Sequence, residues 1–376
     1  MGSVKRAEWV AIAVTILLRI AAVAIAARSG VPWIDPDGYL VRAAAFTSSS
    51  SPTWLVALSD AEGLLVPPLY VLALSWLLRA GASPPVILIA QALLSGVACA
   101  AVIALARSIA GHRGGAIAGG LFAVAPAAVL AAPAFWSEAL FLPLACTGLW
   151  LFVTATREPS WPRFAIVGLL FAAAALTRTV ALYVVPALCV VVALTDPGVR
   201  RGVLVLTAVF AIVVGAYVAS ASRQAGGLLL VDNSAEWHWR AREDPHTARD
   251  ASLVTGGNAL ARAVMRSPVS AAREAAARVR AVFTARDWHD ATSAQYPVAV
   301  IRVSQAANIV WLVVTLALAI WGLAIAQWTL PTRVLVTWVA AQLVLIALSA
   351  TNAGPRYRAP LEPAVVVLAA AACRRV

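Results

Sequence analysis

The stretch Trp33-Ile34-Asp35-Pro36-Asp37-Gly38-Tyr39 follows the first long apolar segment of the chain, residues 9–27. Two carboxylates and a tyrosine therefore stand where a membrane-spanning helix reaches the lipid–water boundary. Acids are costly in or near a membrane, and they are typical of functional sites there. Asp-Pro and Asp-Gly also favour turns, and we expect a turn or capping role for one of the two acids.

The composition around this stretch predicts a polytopic membrane protein. Hydrophobic residues make up 62% of the 376 residues, charged residues only 12%, and the mean hydropathy is +0.85. A soluble domain carries about 25% charged residues. The net charge of +12 does not predict nucleic-acid binding, because the arginines are scattered among apolar segments. Membrane lipids and lipid phosphates are the expected partners.

Ten apolar segments are candidate spans. Helices are expected, because the segments lack the alternating pattern of barrel strands. The segments are residues 9–27, 85–106, 114–132, 138–155, 164–177, 179–194, 202–221, 305–326, 333–349 and 361–373. The predicted fold class is therefore an all-α polytopic integral membrane protein with about ten transmembrane helices.

The orientation depends on residues 66–78, which are too short to span comfortably. We interpret them as an interfacial segment on the outer side. The short arginine-bearing linkers then all become cytoplasmic, in agreement with the positive-inside rule. This predicts a plasma-membrane protein with both termini cytoplasmic. It also brings five charged residues to the external, or periplasmic, face: Asp35, Asp37, Glu138, Arg178 and Arg356.

Three parts of the chain are predicted. Residues 1–221 form an N-terminal transmembrane module whose first external loop is 28–84, residues 222–300 form an external loop region, and residues 301–376 form the C-terminal transmembrane helices. A basic helix from Pro268 to about Arg286 is expected to lie on the membrane surface. Arg19, within the first span, is expected to be paired inside the bundle.

The external loop region supplies aromatic and histidine candidates. Tryptophans there either anchor the interface or stack on a sugar ring; they are Trp237, Trp239 and Trp288. The histidines lack the spacing of a metal-binding pair, and we predict neither a divalent metal site nor a cofactor. These are His238, His246 and His289, with Asp287 and Asp290 beside them.

Five short motifs follow one another along the chain. They are Asp35-Pro36-Asp37-Gly38-Tyr39 with Ala43-Ala44, then Val66-Pro67-Pro68-Leu69-Tyr70, Trp136-Ser137-Glu138-Ala139-Leu140, Leu176-Thr177-Arg178, and Arg356-Tyr357-Arg358-Ala359-Pro360-Leu361-Glu362-Pro363. In this order they resemble the GT-C superfamily, in the branch of dolichyl-phosphate-mannose protein mannosyltransferases and bacterial aminoarabinose transferases. The resemblance covers residues 33–363 and implies a GT-C-like bundle with juxtamembrane helices.

The resemblance implies an inverting hexosyl- or pentosyltransferase. Such an enzyme moves a sugar from a polyprenyl-phosphate carrier to a hydroxyl of a lipid, polysaccharide or protein on the external face. A carboxylate deprotonates the acceptor; Asp35 ranks first for this role and Asp37 second. Glu138 either orients a substrate or caps its helix.

Cations should meet the phosphate, since guanidinium groups pair bidentately with it. The candidates are Arg178, Arg356 and Arg358, one of which we expect to be an ordinary interfacial arginine. Tyr39 and Tyr357 are further substrate-binding candidates, with an interfacial role as the alternative.

Two alternatives to an enzyme remain open, and one departure from the family pattern supports the second of them. The residue before the double proline is often basic in such proteins, and here it is Val66. A flippase or transporter of lipid-linked sugars is the first alternative, although it would bind near mid-membrane. A degenerate member acting as an assembly partner is the second.

Overall fold

The computed structural model describes residues 2–29, 33–35, 37–48, 58, 65–226, 229, 231, 265, 267–284, 296–348 and 355–375. All the histidine, tryptophan and aspartate candidates of the external loop region, between residues 237 and 290, lie outside the described residues.

The described chain is helical. Its α-helices, in chain order, are α1 (Gly2–Arg28), α2 (Tyr39–Ser48), α3 (Pro68–Arg79), α4 (Pro84–Ala123), α5 (Pro126–Leu130), α6 (Glu138–Arg157), α7 (Trp161–Thr177), α8 (Val180–Thr195), α9 (Arg200–Ala225), α10 (Pro268–Val282), α11 (Val298–Ile325), α12 (Leu330–Leu348) and α13 (Glu362–Ala371). Short 3₁₀ turns occupy Pro197–Val199, Pro355–Arg358 and Ala372–Arg375.

Six helices in the described part of the chain are long and apolar enough to cross a membrane. They are α1, α4, α6, α9, α11 and α12. Four shorter apolar helices of 10–17 residues accompany them: α3, α7, α8 and α13. The protein is therefore a multi-pass integral membrane protein with an all-helical fold, while the count of ten spans is not confirmed.

Two of the predicted spans, 85–106 and 114–132, do not form two full-length helices. They fall in α4, a 40-residue helix with a backbone break at Gly111 (φ 71°, ψ −169°), and in the separate short helix α5. Only glycine takes this left-handed φ without steric cost, so a single residue turns the chain where the hydropathy pattern predicts a linker. The part of α4 after Gly111 ends at Ala123 and is shorter than the roughly 20 residues of a perpendicular span.

Proline and glycine set many of the helix limits. Proline occupies the first turn of α3, α4, α5 and α7, where its missing N–H has no helical partner to lose. Gly226 ends α9 in the left-handed conformation. Prolines and glycines therefore mark several helix ends in the sequence, while the apolar segments between them mark the helices themselves.

The helices pack through small residues, as is usual in membranes. α1 lies along α4, which also contacts α6 and α13. At Gly322 of α11, an added Cβ would overlap the backbone of α13 at Leu368. A buried layer of phenylalanines then fills the space between α6 and α7: Phe141, Phe152, Phe164 and Phe171.

The predicted basic helix after Pro268 is confirmed as α10, although it does not present all its arginines to the surface. Arg278 is buried and donates to the carbonyl of Ala347 at 2.8 Å. It also pairs with Glu274 at 2.9 Å, whereas Arg273 and Arg280 are exposed. α10 is therefore tied to the end of α12.

Candidate active site

The first acidic stretch is joined to the start of α6. The Phe135 N–H donates to the Ile34 carbonyl at 2.9 Å, within a short parallel bridge between Ile34 and Ala134. Tyr39 is buried and packs edge-to-face on Tyr70 of α3, with 4.9 Å between ring centroids. Ile34 and Tyr39 are therefore held against the segment before α6 and against α3.

Asp35 caps α2. Its carboxylate accepts N–H bonds from the first three residues of the helix, at 2.7 Å from Tyr39, 2.8 Å from Leu40 and 3.3 Å from Val41. These are donors without partners inside a helix, and the positive end of the helix dipole favours an anion there. Gly38 makes the preceding turn with φ 64°. The capping interpretation is therefore the one that the contacts of Asp35 support.

Glu138 is the centre of a buried ion cluster. Its side chain opens α6 and is only 3% exposed. Arg356 binds it bidentately, at 2.6 Å through Nε and 3.1 Å through Nη2. Arg178 Nη1 lies 2.5 Å from Oε1 of the same carboxylate.

Asp37 completes the cluster from the more open side. Its Oδ2 lies 2.7 Å from Arg356 Nη2, and its side chain is 30% exposed. Two arginines thus face two carboxylates, so the cluster is neutral as it stands. We name Asp37, Glu138, Arg178 and Arg356 the ion cluster.

Trp136 and Ser137 support the ion cluster. The Arg356 guanidinium lies over the Trp136 ring, 4.9 Å from its centroid, in a cation–π contact. Ser137 Oγ accepts from the Tyr39 hydroxyl and from Arg178 Nη1, each at 3.2 Å. One serine hydroxyl therefore links the first loop to the arginine at the end of α7.

The surroundings shift the ionisation of two groups outside the long helices. Burial raises the pKa of Asp35 above its ordinary 3.8, and the charge of Asp37 adds to this, while the N–H bonds from α2 oppose it. Burial also raises the pKa of the Tyr39 hydroxyl well above its ordinary range, so this tyrosine stays protonated and serves as a hydrogen-bond donor.

Not every predicted binding residue lies near the ion cluster. Arg358 is 2% exposed and pairs with Glu362 at 2.8 Å and with Asn308 at 3.2 Å. It also donates to the carbonyls of Val282 and Thr284, which fastens α10 to the bundle. Tyr357 packs in the small apolar cluster around Val282, Ile346 and Leu361.

The sequence did not assign roles to some residues that build the site. Trp136 and Ser137 stand inside a quoted motif, and their adjacency to Glu138 was the available signal. Tyr70 and Gln91 have a weaker signal: the Gln91 amide donates to the Tyr70 hydroxyl at 2.8 Å, a contact between the consecutive helices α3 and α4. In the described residues no group of three or more His, Cys, Asp or Glu side chains is arranged to hold a metal ion, and the prediction that no metal is bound stays a prediction.

Part of the chain, including two members of the ion cluster, matches a known protein family. Residues 66–222 match the family model described as dolichyl-phosphate-mannose-protein mannosyltransferase. This range includes Glu138 and Arg178 but covers less than half of the chain. The predicted resemblance to the GT-C superfamily is thereby confirmed.

Solved structures give the same fold at low sequence identity. ArnT from Cupriavidus metallidurans bound to undecaprenyl phosphate superposes with a TM-score of 0.61 and 16% identity, over 98% of this chain and 60% of that chain. AglB, the oligosaccharyltransferase of Archaeoglobus fulgidus in complex with an inhibitory peptide and a dolichol-phosphate, gives 0.59 and 14%, over 97% and 50%. This chain thus spans between half and three fifths of their length. A search of curated proteins found no significant match.

Proposed function

We propose that this chain transfers a glycosyl unit from a polyprenyl-phosphate carrier to an acceptor hydroxyl at the external face of the membrane, with inversion at the anomeric carbon. The GT-C-type fold and the family match support this proposal. The observation that carries it is the ion cluster, in which two arginines share the buried carboxylate of Glu138 and one of them, Arg356, also binds the partly exposed carboxylate of Asp37.

The arginines are suited to the leaving group. When the bond between the sugar and the carrier breaks, its electron pair stays on the phosphate oxygen. Arg178 and Arg356 would stabilise this charge, because guanidinium groups bind phosphate strongly and with fixed geometry. In the described residues, Arg178 Nε is buried without a hydrogen-bond partner, so this arginine has a donor left to offer.

Asp37 is the best-placed general base of the three acids. The base must accept the proton of the acceptor hydroxyl as its oxygen attacks the anomeric carbon. Asp35 is engaged by three N–H groups of α2, and Glu138 is buried between two arginines. The Asp37 carboxylate is the most open of the ion cluster, and Arg356 keeps it oriented.

Glu138 acts as a positioning residue in this proposal. Because it binds both arginines, it fixes the spacing between the two groups that would receive the phosphate. Its replacement by glutamine would put a neutral amide of the same shape in place of the carboxylate. Because both ion pairs would then be weaker, we expect donor affinity to fall along with turnover.

The test is glycosyl transfer by the purified protein reconstituted in lipid. Radiolabelled polyprenyl-phosphate sugars are the donors and membrane extracts the acceptors. Asp37→Asn should reduce transfer by a factor of about 100 to 10,000, the usual contribution of a general base, while donor binding persists. Asp35→Asn should retain most of the transfer.

The matched control is Glu158→Gln. Glu158 lies just beyond the other end of α6, where it forms an exposed ion pair with Arg163 at 2.6 Å, and its replacement should leave transfer unchanged. If wild-type protein binds donor but never transfers, the flippase or assembly-partner interpretation replaces this proposal. If Asp35→Asn is inactive and Asp37→Asn is active, the base is Asp35.

A further inference from the structure

A cavity leads from the ion cluster into the bundle and reaches Arg19. Its lining includes Trp136 and Glu138 from the site, Gln91 and Ser95 of α4, and Arg19 of α1. Seven alanines make up much of the remaining wall. Gln91 and Ser95 are one helical turn apart, so the cavity follows α4 over at least one turn.

Arg19 is a buried cation without a carboxylate of its own in the described part of the chain. Its side chain is 4% exposed. It makes two hydrogen bonds there, both from Nη1, to the carbonyls of Thr15 at 3.0 Å and Ala123 at 3.4 Å. Phe122 lies under the guanidinium at 5.6 Å. The expected pairing inside the bundle is thus with carbonyls and an aromatic ring.

The acid in the cavity wall and the acid whose charge acts on Arg19 are both engaged with other arginines. Both oxygens of Glu138 bind the arginines of the ion cluster, and Glu362 binds Arg358. A positive charge inside a membrane is costly when no anion accompanies it, and Arg19 lines a cavity whose mostly apolar wall also carries the polar side chains of Gln91 and Ser95. These observations point to an anionic group that is brought in with a ligand.

The size of the cavity limits what enters it. Its volume of about 50 Å³ is several times the 10–15 Å³ that one water needs by the same measure. It is too small for a whole pyranose ring but sufficient for one substituent of a ring that sits at the ion cluster. Arginine offers only donors, and its planar guanidinium matches a carboxylate bidentately.

We propose that this cavity binds the carboxylate of a uronic-acid-type sugar whose ring lies at the ion cluster. The inference rests on the proposed glycosyl transfer, since it names the class of sugar that the same site takes. Arg19 is then a specificity-determining residue: it receives the carboxylate, while the Gln91 side chain, whose amide donates to Tyr70, lines the path to it.

The test measures binding, so that it does not depend on turnover. Protein in lipid nanodiscs is titrated with polyprenyl-phosphate-linked glucuronic acid and with the matched glucose compound, and thermal stabilisation is recorded. A second pair, methyl glucuronide and methyl glucoside, probes an acceptor sugar. Wild-type protein should bind the uronate of one pair about tenfold to a hundredfold more tightly, as expected for a charge-assisted hydrogen bond; the pair that responds identifies donor or acceptor.

Variants assign the preference to Arg19. Arg19→Gln should bind both members of the pair about equally while its affinity for the neutral sugar is unchanged, and Arg19→Lys should keep part of the preference. The control is Arg113→Gln, an exposed arginine in the turn after Gly111, which should behave like wild type. If Arg19→Gln fails to fold, the inference is tested by comparing the preference for uronate over neutral sugar in wild type and in Arg19→Lys, in which this preference should be smaller.

Two results overturn the inference. One is equal binding of uronate and neutral sugar by wild type in both pairs, and the other is an undiminished preference in Arg19→Gln. If transfer proceeds from neutral donors without any uronate preference, the proposed function stands and the inference fails. If the uronate preference is found but no sugar is ever transferred, the cavity assignment stands and the proposed function fails.

Discussion

Arg356 is the residue on which most contacts of the site converge. Its guanidinium binds Glu138 bidentately, reaches Asp37 and lies on the Trp136 ring. A lysine keeps the charge but has neither the planar fork nor the stacking surface. The side chain of Arg356 therefore contributes through its geometry as well as its charge.

We predict that Arg356→Lys lowers transfer by a factor of about 100 to 1,000, the usual effect of losing one preorganised donor to developing negative charge. The measurement is kcat and KM for the labelled donor in reconstituted protein; kcat should fall and KM should rise. Arg163→Lys is the control, because Arg163 pairs with Glu158 on the exposed side. Wild-type kinetics in Arg356→Lys would mean that charge alone suffices at this position.

Asp35 should leave a signature in the pH dependence of stability. Burial raises its pKa above 3.8 in the folded protein, so the folded state binds this proton more tightly than the unfolded state does. The free energy of unfolding therefore falls as the pH rises from the ordinary aspartate pKa through the raised one. The favourable contribution is complete below that window and lost above it.

Asp35→Asn cannot titrate and should lack this component. Thermal denaturation of the detergent-solubilised wild type and variant, at intervals between about pH 3 and 7, measures the difference. We expect wild type to lose stability relative to the variant as the pH rises across the lower part of this range. Parallel curves would show that the carboxylate is not buried as described.

The sequence predicted which ionisable residues lie close together. Ionisable residues in an apolar chain are few, so Asp37, Glu138, Arg178 and Arg356 stood out, and the structure brings all four together. One of the three arginines was expected to stand apart from the site, but the sequence did not say which; a 3₁₀ turn sends Arg356 and Arg358 to different partners. The role of Asp35 also depends on the position of α2, which the sequence leaves open.

At the scale of elements, Gly322 shows how closely α11 and α13 approach. A Cβ at this position would overlap the Leu368 carbonyl, which is backbone and cannot rotate away. Gly215 of α9 offers the opposite case, since an added Cβ there meets nothing within 4 Å. The two glycines differ in packing, while both lie inside long helices.

We predict that Gly322→Ala destabilises the protein by about 1–3 kcal/mol, the usual cost of overpacking. Gly215→Ala should be neutral or stabilising by up to about 1 kcal/mol, because alanine favours helices. Denaturation midpoints of the two variants in the same detergent give the comparison. An equal response of both would mean that α11 and α13 are not in contact.

Helix existence followed from hydropathy, whereas helix continuity did not. Most predicted spans correspond to helices, since about 20 apolar residues and a proline start are visible in the sequence. The break at Gly111 and the short length of α13 depend on backbone angles and on neighbouring helices. An apolar segment carries no signal that distinguishes a full span from a helix that ends halfway.

At the scale of the whole molecule, the two ends of α6 lie on opposite sides of the bundle. Glu138 opens this 20-residue helix and Glu158 follows its end, about 30 Å apart, which is the thickness of the hydrocarbon core. α10 lies on the Glu138 side, because Arg358 fastens it to the same 3₁₀ turn that carries Arg356. An exposed residue of α10 and Glu158 should therefore face different compartments.

We predict that Arg273→Cys is labelled by an impermeant maleimide in intact cells and Glu158→Cys only in inverted vesicles. Both side chains are exposed, and three of the native cysteines are buried, so Cys373 alone needs replacement. The linker after α6 carries Arg157 and Arg163, and such basic linkers stay cytoplasmic. The reversed pattern would put the ion cluster on the cytoplasmic side, where the acceptor would be an intracellular molecule. Labelling of both residues from one side would contradict α6 as a span.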